Sequence, residues 1–252
     1  CIRDSLYPQG ASCQLCGDMR MAVEKYALCE KCMQEMEGEK VPAGACDRCL
    51  SPVRRGKKCA MCASGHMKDI EKCYAPFCYH KTVRKAVHEL KFQQNASFLE
   101  YLCEKMTDAL IDRDFDVICP VPLSRQRMEK RGKNQSRLLA GGVALRTGMP
   151  VSDLLIRTGN QKPQSRTPLE KRAMNVKDCF QCVSEEGKGK RILLVDDVRT
   201  TGSTAQACAK TLKAAGAKSV CLCTLAVVYR NPKKFRQLKG GAYQGSLYML
   251  SH

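Results

Sequence analysis

The stretch that most restricts how this chain can fold is RILLVDDVRTTGSTAQACAKTLKAAG, residues 191–216. Ile192, Leu193, Leu194 and Val195 form an unbroken apolar run, the pattern of a strand buried on both faces, as in a parallel sheet. From Thr204 the period changes: Ala205, Cys208, Ala209 and Leu212 fall on one helical face, and Gly216 is placed to stop the helix. Asp196 and Asp197 then sit at the strand end, and Arg199 to Ser203 make the turn.

In open α/β sheets, ligands bind beyond the carboxyl ends of the strands. A helix amino terminus adds unpaired backbone N–H groups and a partial positive charge, which favour phosphate. Thr200, Thr201, Gly202, Ser203 and Thr204 let that backbone come close and add hydroxyl donors. Two carboxylates would repel phosphate. They suit the vicinal hydroxyls of a ribose, or Mg²⁺ held through its water shell. A sugar flanked by phosphate and metal satisfies both halves of the stretch. Helix capping accounts for one hydroxyl, but not for adjacent acids followed by Thr-Thr-Gly. Neither GxxxxGK[ST] nor a GxGxxG after a strand occurs anywhere in the chain.

The second constraint is the cysteine pattern. Of 18 cysteines, eight form four CxxC pairs: Cys13/Cys16, Cys29/Cys32, Cys46/Cys49 and Cys59/Cys62. CxxC turns present two thiolates to one metal, and two such turns complete a tetrahedral site. Two structural Zn²⁺ ions are therefore expected. Redox CxxC chemistry would need a βαβ context that this polar, turn-rich segment lacks. The spacings do not decide between sequential and interleaved pairing, although local closure costs less entropy and favours the sequential one. Zinc binding and folding should be coupled in so short a module. His66 is a weaker substitute for Cys62. Cys103, Cys119, Cys208, Cys221 and Cys223 lie in apolar periodic segments and read as small buried hydrophobes.

The chain has 252 residues and a formal charge of +18. Residues 1–72 hold 12 Lys and Arg against 10 Asp and Glu; residues 73–252 hold 31 against 15. The basic character therefore belongs to the larger domain, which suits an anionic partner. No apolar run of membrane-spanning length is present, the start lacks the regions of a signal peptide, and the chain reads as cytoplasmic.

Coarse periodicity predicts a strand over CYAPFCYH, helices over 80–92 and 98–111, a strand over 115–121, a helix over 134–147, a strand over 154–157 and a last strand over 219–228. Residues 179–183 and 191–195 look like a hairpin turned by SEEGKGK. The stretch after the 115–121 strand, PVPLSRQRMEKRGKNQS, has five cations and one acid at a strand end, and reads as a second phosphate loop. RTGNQKPQSRTPLEKRAMN, 157–175, is a long polar loop of the kind that carries function.

VDDVRTTGST resembles the motif by which type I phosphoribosyltransferases bind 5-phosphoribosyl-1-pyrophosphate (PRPP). The resemblance implies that Asp196 and Asp197 grip the ribose hydroxyls. It implies that Thr200, Thr201, Gly202, Ser203 and Thr204, with Arg199 beside them, hold the 5-phosphate, and that Mg²⁺ accompanies the ligand. Nothing after Cys1 resembles the glutaminase domain of the PRPP amidotransferases, which also use an amino-terminal cysteine.

The order of features is similar to that of the ComF family: zinc ribbons, PVPL…RGKNQ, then Arg157-Thr158-x-x-Gln161…Arg172-x-x-Asn175, then VDDVRTTGST. This implies an α/β, parallel-sheet type I phosphoribosyltransferase fold with a small amino-terminal double zinc ribbon, divided at 1–67 and 68–252. Pro122, Leu123, Arg125, Arg127, Arg131, Asn134 and Gln135 would form the pyrophosphate loop. Arg157, Gln161, Arg172 and Asn175 would belong to a flexible loop closing over PRPP. Lys133 stands where the family usually has Phe.

The family's link is to natural transformation and single-stranded DNA, with a competence helicase or other DNA-uptake proteins as partners. Six Phe, eight Tyr and no Trp leave few stacking platforms, so DNA affinity should be phosphate-driven. It is expected around Arg125 to Arg137 and on YRNPKKFRQLK, 229–239, where Tyr229 and Phe235 are available to stack. Two other functions compete: an active phosphoribosyltransferase in nucleotide salvage, for which no base-recognising hood is legible, and a non-catalytic PRPP sensor. No residue is singled out as catalytic.

Overall fold

A computed structural model describes residues 12–18, 25–53, 59–92, 95–112, 114–124, 128–129, 132–158 and 179–229. Within the cysteine-rich segment lie α1 (Glu30–Glu37) and the single turn α2 (Ala60–Ala63). Then come β1 (Cys73–Tyr74), β2 (Phe77–Cys78), α3 (Lys81–Phe92), α4 (Ala96–Asp108), β3 (Val117–Pro120) and α5 (Gln135–Thr147). β4 (Leu155–Arg157), β5 (Phe180–Cys182), β6 (Arg191–Arg199), α6 (Ser203–Ala214) and β7 (Ser219–Val227) complete the order.

β3, β6, β7 and the outer pair β1/β2 form one sheet in which every pairing is parallel. β6 is central, with Ile192 opposite Val117 on one side and Val220 on the other. Alternation explains its unbroken apolar run. Leu193 and Val195 face a core shared with Leu102 and Met106 of α4 and with Leu139 and Val143 of α5. Ile192 and Leu194 face a second core with Ala205, Cys208 and Leu212 of α6. Both faces are covered over residues 192–195, so none of these four positions can be polar. The fold is α/β with a parallel sheet, as expected.

The buried cysteines follow the same alternation. Cys119 and Cys208 fill the α6 side, and Cys103, Cys221 and Cys223 fill the other. Burial pushes the Cys103 and Cys119 thiols up to about 12, so they act as small hydrophobes. Gly142 matters here. A Cβ at this position would stand well inside van der Waals range of Cys103 Sγ, and its absence lets α4 and α5 pack closely.

The cysteine-rich segment does not stand apart. Cys13, Leu28, Cys29, Cys32 and Met36 belong to the same core as Phe98 and Tyr101, while Cys49 joins the core on the α6 side. The segment also covers the sheet edge: Val41 N donates to Pro76 O (3.0 Å), Cys78 N donates to Glu39 O (2.7 Å), and Lys40 bridges Phe77. Pro76 lies between β1 and β2, so CYAPFCYH is two short strands rather than one.

Glu39 shows how tightly the parts interlock. The residue is 6% exposed, and its carboxylate accepts from Thr82 N (3.0 Å) and Val83 N (2.9 Å) at the start of α3. A carboxylate there satisfies orphan helix donors and complements the helix dipole. Glu39→Ala is expected to lower unfolding free energy by about 2 kcal/mol, read by urea denaturation. A change near zero would mean that water replaces the cap.

Two elements differ from expectation. β5 pairs antiparallel with β4, Arg157 opposite Phe180, rather than with 191–195. β6 is flanked on both edges by parallel strands, so it has no edge left for a hairpin partner. β6 also continues through the acids to Arg199, because its ladder with β7 persists to the Arg199–Val227 pair. Among the described residues no helix is long and apolar enough to cross a membrane.

Candidate functional site

Beyond the carboxyl ends of β3 and β6 lies a cavity of about 300 Å³. The segment after β3 delivers Val121, Pro122 and Leu123, and the start of α5 delivers Gln135 and Ser136. β4 supplies Arg157, β6 supplies Asp196, Asp197 and Val198, and the turn into α6 supplies Thr200 and Thr204. Tyr79, just past β2, completes the wall. Residues separated by more than a hundred positions in sequence thus meet in one concavity.

Asn134 stands behind this wall. Its side chain caps α5 by accepting from Ser136 N (3.1 Å), and its Nδ2 donates to Val121 O (3.0 Å), tying together the two ends of the basic loop. In the turn, Thr201 and Ser203 share a hydroxyl contact of 2.8 Å, and Ser203 N donates to Thr201 Oγ1. Gly202 is the N-cap of α6 at φ +80°, a conformation glycine takes without strain, and as N-cap it offers the helix no side-chain acceptor. The helix start therefore keeps backbone donors in hand beside Thr200 and Thr204. Arg199 is placed differently. It is 3% exposed, it does not line the cavity, and its Nε and Nη2 have no hydrogen-bond partner among the described residues. Arg125, Arg127, Arg131, Gln161, Arg172 and Asn175 lie outside the described residues, as do residues 230–239.

Arg157 carries a buried Nε without a partner among the described residues, and its guanidinium lies 5.4 Å from the Phe180 ring centre. A buried donor aimed at a cavity calls for an anionic or carbonyl oxygen. The acids line the same cavity. Asp196 Oδ1 accepts from Ser136 Oγ (2.8 Å) and from Asp197 N (2.9 Å), and Asp197 Oδ1 accepts from Val198 N (2.7 Å). Burial, reinforced by the Asp197 charge, pushes the Asp196 carboxyl up to about 7, against the pull of the Ser136 hydroxyl. Near neutrality Asp196 is poised between neutral acid and carboxylate.

This predicts a pH dependence. A carboxylate accepts from ribose hydroxyls and attracts a divalent cation; a neutral acid does neither well. Affinity for a cation-bound sugar phosphate should rise as pH climbs through about 7 and flatten above it. Below that pH, binding should release close to one proton per site. Calorimetry in two buffers of different ionisation heat measures this release; zero release at pH 6 would contradict the protonated state of Asp196.

Ser136, Tyr79, Val121 and Val198 are site residues that sequence reasoning did not single out. Ser136 follows Asn134 and Gln135 directly, so its adjacency to the pyrophosphate stretch was the available signal. Tyr79 carried none, because only the pairing of β2 with β7 brings it to the cavity.

The eight CxxC cysteines form two groups: Cys13, Cys16, Cys29 and Cys32, and Cys46, Cys49, Cys59 and Cys62, with sulfurs in each group within 4.8 Å of one another. Grouping is sequential. A tetrahedron with Zn–S bonds of about 2.3 Å has edges of about 3.8 Å. Cys16–Cys29 and Cys46–Cys62 are both 3.8 Å apart, and Cys49–Cys59 is 3.4 Å, so the donor sets fit zinc. His66 Nδ1 lies 2.6 Å from Ser64 Oγ, and His66 is not among the grouped ligands.

A family model described as "Phosphoribosyl transferase domain" matches residues 133–245. Competence protein ComFC of Bacillus subtilis (strain 168) is 27% identical over 195 residues, 73% of this chain and 77% of that one. DNA utilization protein YhgH of Escherichia coli (strain K12) is 28% identical over 225 residues, 84% and 96% of the two chains. Competence protein F of Haemophilus influenzae is 25% identical over 216 residues, 82% and 87%. Similarity along most of its length to competence and DNA-utilization proteins, and over residues 133–245 to a phosphoribosyl transferase domain, supports the assignment of this chain to the ComF family, with a type I phosphoribosyltransferase fold.

Proposed function

We propose that the cavity binds PRPP with Mg²⁺, and that the protein serves DNA uptake by handling single-stranded DNA. The observation that carries the first part is the convergence, on one 300 Å³ cavity, of an acid pair, a hydroxyl-rich helix start and the Arg157 donor. Asp196 and Asp197 would accept from the ribose diol and approach Mg²⁺ through its water shell. Thr200 and Thr204 would donate to the 5-phosphate. Pro122, Leu123 and Gln135 line the same cavity, and a pyrophosphate would lie beside them. The two cysteine groups hold structural zinc, with four thiolates each and no position left for a substrate. Retention of labelled PRPP by the full chain with Mg²⁺, and its loss without the metal, tests this reading. No retention in either condition overturns it.

The DNA part rests on charge and on the names of the matched proteins. Residues 73–252 carry 31 cations against 15 acids. Zinc in both cysteine groups would turn residues 1–72 net negative, so attraction belongs to the larger part. The packing of Cys13, Leu28 and Met36 against Phe98 and Tyr101 means that the question should be put to the whole chain rather than to a truncation. Changing Lys233, Lys234 and Arg236 together to Glu should weaken single-strand binding. It should also make the log–log salt slope shallower by about 2, at about 0.7 per lost phosphate contact. An unchanged slope would remove this segment from the DNA contact.

A further inference from the structure

The second cysteine group and the phosphate turn are joined by a short strap of chain, residues 67–71. Arg48 lies between Cys46 and Cys49 and holds one end of this link. Its guanidinium donates to four carbonyl oxygens: Met67 (3.1 Å), Lys68 (3.3 Å), Ile70 (2.9 Å) and Glu71 (3.2 Å). Cys73 N donates back to Arg48 O at 2.7 Å. One side chain thus fixes the strap to the knuckle that carries two of the sulfurs.

The strap's other surface meets the turn. Met67 is 3% exposed, and a Cβ at Gly202 would come within 2.8 Å of its Sδ. The thioether therefore fills the space that Gly202 leaves empty beneath the turn. One turn into α6, Gln206 grips the strap twice: its Oε1 accepts from Asp69 N (3.2 Å), and its Nε2 donates to Asp69 Oδ2. Charge runs the same way. Arg199, buried at the point where β6 enters the turn, has donors without a partner among the described residues, and its charge reaches Cys73 beside Arg48. Four thiolates on one Zn²⁺ carry a net double negative charge, which would favour Arg48, set between Cys46 and Cys49 in sequence. The first cysteine group makes no comparable link among the described residues, since it packs on the opposite face of the sheet against Phe98 and Tyr101.

We propose that Arg48, Met67, Asp69 and Gln206 are positioning residues that couple metal in the Cys46/Cys49/Cys59/Cys62 group to the phosphate turn, so that the metal holds the turn in the form that binds PRPP. This rests on the PRPP and zinc assignments above. Coupling between two ligands is reciprocal. If the metal tightens PRPP binding, PRPP tightens binding of that metal by the same factor, which is expected to appear as slower loss of that metal, and the metal of the first group is indifferent.

The test follows zinc transfer from the full-length, zinc-loaded protein to an excess of a colorimetric chelator, with and without saturating Mg²⁺ and PRPP. PRPP binding to the same preparation is measured separately by calorimetry. One of the two zinc ions should leave about tenfold more slowly when PRPP is bound, within the usual range of coupling factors. In Gln206→Leu that retardation should disappear and PRPP affinity should fall several-fold, while both release rates without PRPP stay unchanged. A merely destabilised variant would instead lose zinc faster without any ligand. If PRPP binds but retards neither zinc, or retards both equally, the coupling is overturned and the PRPP site stands. If PRPP does not bind at all, the site assignment falls and takes this inference with it.

Discussion

Replacing Asp196 and Asp197 together by Asn should weaken Mg²⁺-dependent PRPP binding by at least about a hundredfold while making the protein more stable near neutral pH. The binding loss follows from removing two charge-assisted acceptors, each contributing about 1.5–3 kcal/mol, together with the negative field that draws the cation. A loss of about 3 kcal/mol is already more than a hundredfold. The stability gain follows from the same environment. Burial and the Asp197 charge raise the Asp196 carboxyl to about 7 in the folded chain, well above its ordinary value. For a group raised in this way, the folded state's advantage is complete below the unfolded pKa, about pH 4, and is lost as pH climbs through about 7. At pH 7 and above, ionised Asp196 therefore costs stability on the order of 3 kcal/mol. Asn keeps an oxygen for the Ser136 hydroxyl and carries no charge to bury. Calorimetric titration and thermal melting should move in opposite directions. Unchanged PRPP affinity would remove the acid pair from the site; a lowered melting temperature would mean that its charge is matched by a cation.

Removing metal should have the largest effect on stability. Elemental analysis should give two zinc ions per chain, and only thiolate ligation should be seen by X-ray absorption. Apparent zinc binding energies in small fingers reach about 10–16 kcal/mol, as large as the whole stability of an ordinary domain at about 5–15 kcal/mol. Here the effect should spread. Cys13, Cys29 and Cys32 are each at most 4% exposed and share a core with Met36, Phe98 and Tyr101. Stripping the metal leaves four thiols in place of a tetrahedral centre and frees α1 from the face it covers. Chelation should therefore lower the melting transition of the entire chain, not only of its first part. One metal per chain, or a parallel-sheet domain that melts at the same temperature with and without chelator, would contradict this.

The residues that carry local chemistry are legible in the amino-acid sequence. Four apolar residues running into two aspartates require a strand covered on both faces, because side chains alternate and neither face tolerates water. The TTGST turn and α6 follow from a change of period and a run of small residues. Paired CxxC turns imply tetrahedral thiolate sites because few other roles use that spacing. These signals lie within one or two elements, where the chain itself sets the geometry.

What the sequence left open is everything that depends on which elements meet. Residues 179–183 read as hairpin partner to 191–195. Only the sheet's order, with β3 and β7 flanking β6, leaves β4 as their neighbour. Arg199 read as part of the turn, but continuation of the β6–β7 ladder buries it away from the cavity. Tyr79 enters the site by long-range packing, and no neighbour in sequence announces it. The cysteine segment looked like a module of its own, yet its apolar residues complete the cores on both sides of the sheet. Hydrophobic burial is non-directional. The sequence therefore determined by itself which residues must be covered and which groups can hold a phosphate or a metal, while only the tertiary structure decided what covers them and which distant side chains complete the site.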